Sequence, residues 1–234
     1  MPIAREGGFL LFPEARPGPQ LGLESDMLAD CIDECRSRLY PGVFGNPGFG
    51  FRERDLDCLR ALPHLQAVWF WDVALDNVDG LYALPDLRSF GVYERPAVDF
   101  SLLPKLEALV WMHKGGDRQV ESLARLNDLY VWHFKPRSKS FADLQPLPDV
   151  AEMQILWANP PTLAGLKPNP KLRRLEIHRC RNLESLDLLP ELYPALEHLV
   201  VDACGRIPAG EGARLAARLP ALRHASVQQE LVSR

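Results

Sequence analysis

Histidine and carboxylate side chains recur at nearly regular intervals in the first half of the chain. Asp72, Glu94, His113 and His133 are separated by 22, 19 and 20 residues. Two imidazoles and one carboxylate form a ligand set for Zn²⁺ or Fe²⁺ if the fold brings them together. No local metal motif such as HExxH accompanies them, and a solvated rim of mixed charge explains the same residues more simply. A metal-binding enzyme that uses His113, His133 and Glu94 is therefore the alternative hypothesis rather than the first one.

Aromatic and apolar side chains recur at the same interval, close to this rim. They are Trp69, Trp71, Tyr93, Val110, Met112, Tyr130, Trp132, Leu156 and Trp157. Aromatic residues and Met are enriched in the central, buried part of protein interfaces. The chain has no nucleophile elbow, no phosphate-binding loop and no dinucleotide fingerprint. The residue pattern therefore favours binding over catalysis, and no cofactor is expected.

Composition narrows the class of partner. With a net charge of −4, the chain has no overall positive field that would hold nucleic acid or an anionic membrane. The apolar run from Gly8 to Phe12 is too short for a signal peptide or a membrane span. Five cysteines in 234 residues do not suggest a disulfide framework, which predicts a reducing, cytoplasmic location. The abundance of Ala, Arg, Leu and Pro is typical of a bacterial source with a GC-rich genome.

The regular interval comes from an internal repeat. A phrase close to Leu-Pro-x-Leu, followed by alternating apolar residues, occurs eight times, with anchors at Leu65, Leu87, Leu106, Leu126, Val150, Leu172, Leu196 and Leu222. The anchors are 22, 19, 20, 24, 22, 24 and 26 residues apart, and a proline stands two residues before seven of the eight. Proline fixes φ and donates no backbone hydrogen bond, so it suits a turn that leads into a strand.

Each repeat alternates in the way of a strand with one buried face. With the anchor counted as position 1, positions 4 and 6 are apolar in every copy, so they are predicted to point inward and positions 5 and 7 outward. The pattern resembles the LxxLxL segment of the leucine-rich-repeat family over roughly residues 59–229. The resemblance implies an α/β solenoid, an arc of about eight irregular coils with a parallel β-sheet on its concave face and loops and short helices on its convex face.

The ninth position of the repeat departs from the family in most copies. The family usually has Asn or Cys there, because that side chain hydrogen-bonds the turn, and only Cys180 and Cys204 fit. The earlier copies have Val73, Arg95, Lys114, Phe134 and Ala158 instead. Their turns must satisfy the backbone polar groups by other means.

The flanking segments are expected to cap the solenoid. Residues 1–24 are rich in Pro and Gly and are predicted to form an irregular arm. Residues 25–58 are predicted to form an N-terminal cap, made of a helix N-capped by Ser25 and a Gly- and aromatic-rich loop. The solenoid covers 59–229, and residues 230–234 form a short tail that leaves the last strand an open edge.

These expectations combine into a protein-binding module, an adaptor or an inhibitor, that holds its partner on an aromatic patch of the concave face. The patch is predicted to contain Trp69, Trp71, Tyr93, Met112, Tyr130, Trp132, Leu156 and Trp157, with a rim of Asp72, Glu94, His113, His133, His178 and Arg179. Alternatively, residues 9–12 of the arm cover the aromatics, or the patch or the last strand joins two copies of the chain. By fold analogy, the partner could also be a toxin that an immunity-type protein neutralises.

Overall fold

The computed structural model of the protein describes residues 3–144 and 146–233. Within these ranges thirteen strands form a mostly parallel sheet in chain order, with three α-helices. The strands are β1 Ala4–Glu6, β2 Phe9–Phe12, β3 Gln20–Gly22, β4 Gly42–Gly45, β5 Ala67–Phe70, β6 Ser89–Val92, β7 Ala108–Trp111, β8 Asp128–Trp132, β9 Glu152–Leu156, β10 Arg174–His178, β11 His198–Asp202, β12 His224–Val227 and β13 Glu230–Ser233. The helices are α1 Leu28–Arg38, α2 Leu189–Leu192 and α3 Glu211–Arg218. The chain forms two compact units, the first of residues up to 109 with 114–125 and the second of 110–113 with 126 onward.

The first unit begins with an antiparallel hairpin. β1 pairs with β2 and β2 with β3, both antiparallel, whereas β3, β4, β5 and β6 are parallel neighbours. The prediction of an irregular arm over 1–24 is therefore wrong for the strands Ala4–Glu6, Phe9–Phe12 and Gln20–Gly22, and residues 1 and 2 lie outside the described residues. Leu11 pairs with Leu21 and Leu21 with Val43, and all three are buried. Alternation over three or four residues is a weak signal unless it recurs along the chain, and β1, β2 and β3 carry no copy of the repeat.

Helix α1 follows β3 and contributes to the core of the first unit. It buries Cys31 and Cys35, as the spacing predicts. The prediction that Ser25 caps the helix is wrong, because Ser25 begins a short 3-10 turn, Ser25–Met27, and its Oγ accepts a hydrogen bond from the backbone amide of Arg52 at 2.8 Å. Ser25 thus links the cap helix to the loop after β4.

The predicted alternation of the repeat strands is confirmed by burial. Every residue at position 4 or 6 of the eight repeats is buried, and none is more than 4% exposed. The largest of them is Trp111, which is fully buried. One face of the repeat strands therefore carries the core, and the outward positions are available for other roles.

Short 3-10 turns connect the strands of the repeats. They include Asp57–Ala61, Asp79–Ala83, Phe100–Leu102, Val120–Ser122 and Phe141–Asp143. The repeated proline follows such a turn: Leu62 accepts a hydrogen bond from the amide of the anchor Leu65 at 3.1 Å, which places Pro63 at the second position of a β-turn. Neighbouring turns pack closely, since a Cβ on Gly80 would lie 1.8 Å from the carbonyl oxygen of Leu56.

The second unit ends in a hairpin that the sequence pattern does not reveal. β8 to β12 are parallel neighbours, and β13 returns antiparallel to β12. Gln228 and Gln229 connect them with φ values of 49° and 71°, the combination that two-residue hairpins require. The segment predicted as a tail over 230–234 is thus a strand from Glu230 to Ser233, with residue 234 outside the described residues. The open edge that was predicted for β12 therefore belongs to β13, the last strand of the sheet.

The strands of most repeats end in the same backbone conformation. Position 8 has a left-handed φ of 52° to 56° in Asp72, Glu94, His133, Trp157, Arg179 and Ala203. For residues with a Cβ this conformation costs about 1–2 kcal/mol. Hydrogen bonding offsets the cost, because the amides of Trp157 and Arg179 donate to the carbonyl oxygens of His178 and Asp202 on the following strand at 3.0 and 2.9 Å. Side chains at position 8 are therefore presented by a fixed backbone.

Over residues 3–144 and 146–233, no helix has the length and apolar character needed to span a membrane.

Candidate functional site

The structure leaves the predicted partner-binding residues partly exposed. This holds for Trp69, Trp71, Tyr93, Met112, Tyr130, Trp132, Leu156 and Trp157. Of the predicted rim, Asp72, Glu94 and Arg179 are exposed, and His113, His133 and His178 are partly buried. These residues belong to two groups, one in each compact unit.

In the first unit, Trp69 on β5 and Trp71 directly after β5 belong to a packed aromatic cluster. Trp69 and Trp71 have ring centroids 6.0 Å apart, and Trp71 stacks on Phe44 at 6.0 Å. Phe49 packs against Trp71 at 5.9 Å and against Phe44 at 6.3 Å. Phe44 is fully buried although it pairs in register with Trp69 and so lies on the outward face. Part of the predicted patch is thus covered by residues 44–49.

The loop that provides Phe49 is held by a buried asparagine. Asn46 donates from Nδ2 to the carbonyl oxygen of Trp71 at 2.9 Å, and its Oδ1 accepts from the amide of Gly48 at 2.7 Å. The predicted covering of the aromatics by residues 9–12 is not what the structure has, because those residues form β2. Sequence reasoning missed Phe44 and Phe49; the aromatic, Gly-rich stretch over 39–51 was the signal that could have revealed them.

A buried ion pair supports the turn after β6. Arg95, at position 9 of its repeat, forms a two-pronged contact with Asp117, with Nη1–Oδ1 at 2.7 Å and Nη2–Oδ2 at 2.9 Å, and both side chains are fully buried. Asp117 also accepts from the amides of Val98 at 2.9 Å and Lys114 at 3.1 Å. The Asp117 carboxylate therefore supplies the hydrogen-bond acceptor for the backbone amides of this turn.

In the second unit, the outward face of β8, β9 and β10 carries a chain of side-chain hydrogen bonds. Trp132 Nε1 donates to Gln154 Oε1 at 3.0 Å, and Gln154 Nε2 donates to Glu176 Oε2 at 3.1 Å. Glu176 also contacts His178 Nε2 at 3.1 Å and accepts from Arg174 Nη2 at 2.6 Å. An indole, an amide, a carboxylate and a guanidinium are thus held in fixed relative positions on one surface.

A shallow cleft of about 260 Å³ lies on this face. It is lined by Tyr130, Glu152, Met153, Gln154, Arg174 and Glu176. Burial tends to raise the pKa of Glu176, but the hydrogen bonds from His178, Arg174 and Gln154 prevail and lower it below its ordinary value. Glu176 therefore stays ionised at neutral pH, and the cleft combines a tyrosine ring with fixed charges of both signs.

Trp157 lies at the strand end of β9 and organises the rim. The ring of His133 stacks on it, with centroids 4.4 Å apart and planes 22° apart, and the guanidinium carbon of Arg179 lies 5.6 Å from its centroid. Burial, followed by the positive charge of Lys135, lowers the pKa of His133. His133 is therefore neutral at physiological pH.

The predicted metal ligands make other contacts. His113 packs edge-on against Trp111 at 5.3 Å and Phe134 at 5.4 Å, and Glu94 has Lys114 at 3.9 Å. In ranges 3–144 and 146–233, no group of three or more His, Cys, Asp or Glu side chains is placed to hold a metal ion. In this structure the imidazole rings of His113 and His133 pack against aromatic side chains.

The two cysteines that fit the family occupy equivalent turns. Cys180 Sγ lies 3.4 Å from the carbonyl oxygen of His178, and Cys204 Sγ lies 3.4 Å from that of Asp202. Each thiol also reaches the preceding strand, at Ile155 and Ile177 respectively. The neighbouring Cys204 thiol and burial both raise the pKa of Cys180. Both residues are buried, and both thiols bond backbone carbonyl groups of the turn.

Comparison with protein-family models gives no match, and comparison with curated protein sequences gives none either.

Proposed function

We propose that the chain is a leucine-rich-repeat solenoid that binds another protein on the outward face of β8, β9 and β10. The fold assignment is supported by the agreement between the sequence repeat and the strands. The observation that carries the function is the bonded series Trp132–Gln154–Glu176, in which hydrogen bonds to polar side chains fix a partly exposed tryptophan. Such an arrangement fits protein recognition, because aromatic anchors that are already ordered lose little entropy on binding.

The hydrogen bonds define how the partner would be recognised. Tyr130 and Trp132 supply apolar contact area, whereas the side-chain amide of Gln154 still has donor and acceptor capacity for groups of the partner. The cleft beside Tyr130 is small and open to solvent, which suits one side chain of a partner better than a whole small molecule. The aromatic cluster around Trp71 contributes to the stability of the first unit.

A reducing, cytoplasmic location is part of the proposal. All five cysteines are free thiols, and four of them are buried. Buried thiols that bond backbone carbonyls are suited to a compartment where disulfides do not form.

The test is affinity capture from the native organism with the wild-type chain and with Tyr130→Ala/Trp132→Ala. The captured protein is identified by mass spectrometry, purified separately and mixed with both forms. Binding to the wild type and its loss in the double variant, with unchanged far-UV circular dichroism, would support the proposal. The matched control is Leu39→Ala/Leu102→Ala, which removes two exposed leucines elsewhere and should bind like the wild type. Equal loss in the control variant would contradict the assignment of the face.

Self-association through β13 is a second candidate. β13 is the last strand of the sheet, and Leu231 at its middle is 71% exposed. An edge strand with an exposed leucine favours pairing with another strand. Light scattering of the purified chain and of Leu231→Lys would decide: a dimer that becomes a monomer on substitution supports this candidate, and a monomer in both cases removes it.

A further inference from the structure

Most basic side chains of the described residues are paired with a carboxylate within 4.0 Å, but those at one edge of the second unit are not. The basic residues in ranges 3–144 and 146–233 that have no such partner include Lys135, Arg137, Lys139, Arg179 and Arg181. All five follow strand ends, the first three after β8 and the last two after β10. In a chain of net charge −4, this is a local concentration of unneutralised positive charge.

Three of these residues line one cleft. Lys135, Arg179 and Arg181 surround a volume of about 530 Å³, together with Trp157, Asn159 and Asn182. Asp202 is the acidic residue of its lining. We call this space the basic cleft. It lies beyond the strand ends, so its lining differs from the residues that the proposed function uses.

The walls of the basic cleft are fixed in position. Trp157 and Arg179 both have the left-handed backbone of position 8, with their amides bonded to the next strand at 3.0 and 2.9 Å. Asn182 Nδ2 donates to the carbonyl oxygen of Asn159 at 3.1 Å, and Asn159 Nδ2 donates to that of Pro136 at 3.3 Å. These bonds connect the segments that carry Lys135 and Arg181, so little ordering of the backbone is needed on binding.

We propose that the basic cleft binds an acidic segment of a protein partner, with carboxylates of that segment paired to Arg179, Arg181 and Lys135. Guanidinium groups form two-pronged hydrogen bonds with carboxylates, and lysine adds a mobile point charge. A long polyanion is disfavoured, because Asp202 lies in the wall and the protein as a whole is negatively charged. The inference rests on the proposed function, since it adds a charged contact to a protein-binding face.

The test uses a blocked hexaglutamate peptide, with hexaglutamine as the neutral control, in a fluorescence anisotropy titration at low salt. Arg179→Gln/Arg181→Gln should weaken hexaglutamate binding by about tenfold or more, because two charge-assisted contacts are lost. The matched control is Arg125→Gln/Lys167→Gln, which removes the same charge from two other basic residues that have no carboxylate partner. It should bind within about twofold of the wild type if the site is local. Lys135→Gln, at an exposed position, is the second variant if the first does not fold.

Several outcomes would overturn the inference: no binding of hexaglutamate, equal weakening in the control variant, or tighter binding of tripolyphosphate or single-stranded DNA than of hexaglutamate. The inference and the proposed function can fail separately. Tyr130→Ala/Trp132→Ala should lose the captured partner but retain hexaglutamate. If Arg179→Gln/Arg181→Gln captures the partner as well as the wild type does, the basic cleft is not part of the interface and the proposed function stands.

Discussion

The two compact units use the same outward strand positions in different ways. In the first, Trp71 packs against Phe44 and Phe49, and the ring contacts complete a small apolar cluster. In the second, Trp132 is bonded through its indole N–H to Gln154 and from there to Glu176. The comparison shows that a strand position does not decide whether an aromatic residue stabilises the fold or is available to a partner. The neighbouring side chains decide it.

The two units also differ in the side chains that stabilise the turns after their strands. In the first unit the ion pair Arg95–Asp117 stabilises the turn after β6, whereas in the second unit the thiols of Cys180 and Cys204 bond the turns. A buried ion pair has lost its hydration, so the removal of one partner leaves a charge without compensation. A thiol that loses its carbonyl contact leaves only a weak bond unmade. The first unit should therefore be much more sensitive to substitution at its turn.

The largest effect is expected for Asp117→Ala. It leaves Arg95 charged and buried and removes the acceptor of two backbone amides, so the free energy of unfolding should fall by about 3–5 kcal/mol. Urea denaturation followed by circular dichroism would measure it. The control is Asp76→Ala, which breaks the exposed pair with Arg54 and should leave the free energy of unfolding close to that of the wild type, because solvent screens an exposed pair. Similar losses in both variants would contradict the structural role of the buried pair.

The double variant Arg95→Met/Asp117→Leu tests how much of the loss in Asp117→Ala comes from the unpaired charge of Arg95. It removes both charges, so its unfolding free energy should lie between those of Asp117→Ala and the wild type. Full recovery is not expected, because the amides of Val98 and Lys114 have lost their acceptor.

The repeat and its buried face could be predicted because a strand with one face in the core has a strict period of two, which Val68, Phe70 and their equivalents follow. The hairpin of β1 and β2 could not be predicted, since its strands are short and carry no copy of the repeat. The left-handed backbone of Trp157 could not be predicted either. Tryptophan rarely adopts this conformation, and it does so here because a carbonyl oxygen of the next strand accepts a hydrogen bond from its amide.

The candidate site was predictable in its outline and not in its contacts. Aromatic residues at outward positions could be read from the repeat, but Phe49 and Trp71 are 22 residues apart and nothing local indicates that they touch. Arg95 stood out as a departure from the family pattern, whereas its partner Asp117 belongs to the next repeat. Such pairings depend on the register between strands, which a pattern along one strand does not contain.

The second prediction compares the two tryptophans. Trp71→Ala should lower the unfolding free energy by about 2–3 kcal/mol, because it opens a cavity beside Phe44 and Phe49. Trp132→Ala removes one hydrogen bond and partly exposed area and should cost about 1 kcal/mol. Urea denaturation of both variants measures the difference. Equal losses would mean that Trp132 is as much a core residue as Trp71, and the comparison between the units would fail.

The third prediction concerns the thiol turn. Cys180→Ala should cost about 1–2 kcal/mol, well below the cost of Asp117→Ala, because a small buried side chain and a weak hydrogen bond are lost.

Burial, with the carboxylates of Asp55 and Glu53, raises the pKa of Cys58 to about 12, so its thiol should react slowly with iodoacetamide in the native chain at pH 8. Mass spectrometry after alkylation would measure this, with the urea-unfolded chain as the reference. Rapid native labelling would show that the turn segments open easily.

The smallest effect is expected for Glu176→Gln, and it depends on pH. Hydrogen bonds from His178, Arg174 and Gln154 outweigh burial and hold the pKa of Glu176 below its ordinary value of 4.5. A carboxyl group with a lowered pKa in the folded state contributes stability that is complete above the ordinary pKa and is lost as the pH falls through the folded value. The unfolding free energies of wild type and Glu176→Gln should therefore differ at pH 7 and converge below pH 4.5. Glu152→Gln, an exposed carboxylate at the edge of the same cleft, is the control. A difference between wild type and Glu176→Gln that does not change with pH would show that the amide disturbs packing and that the bonded series with Trp132 does not depend on the charge.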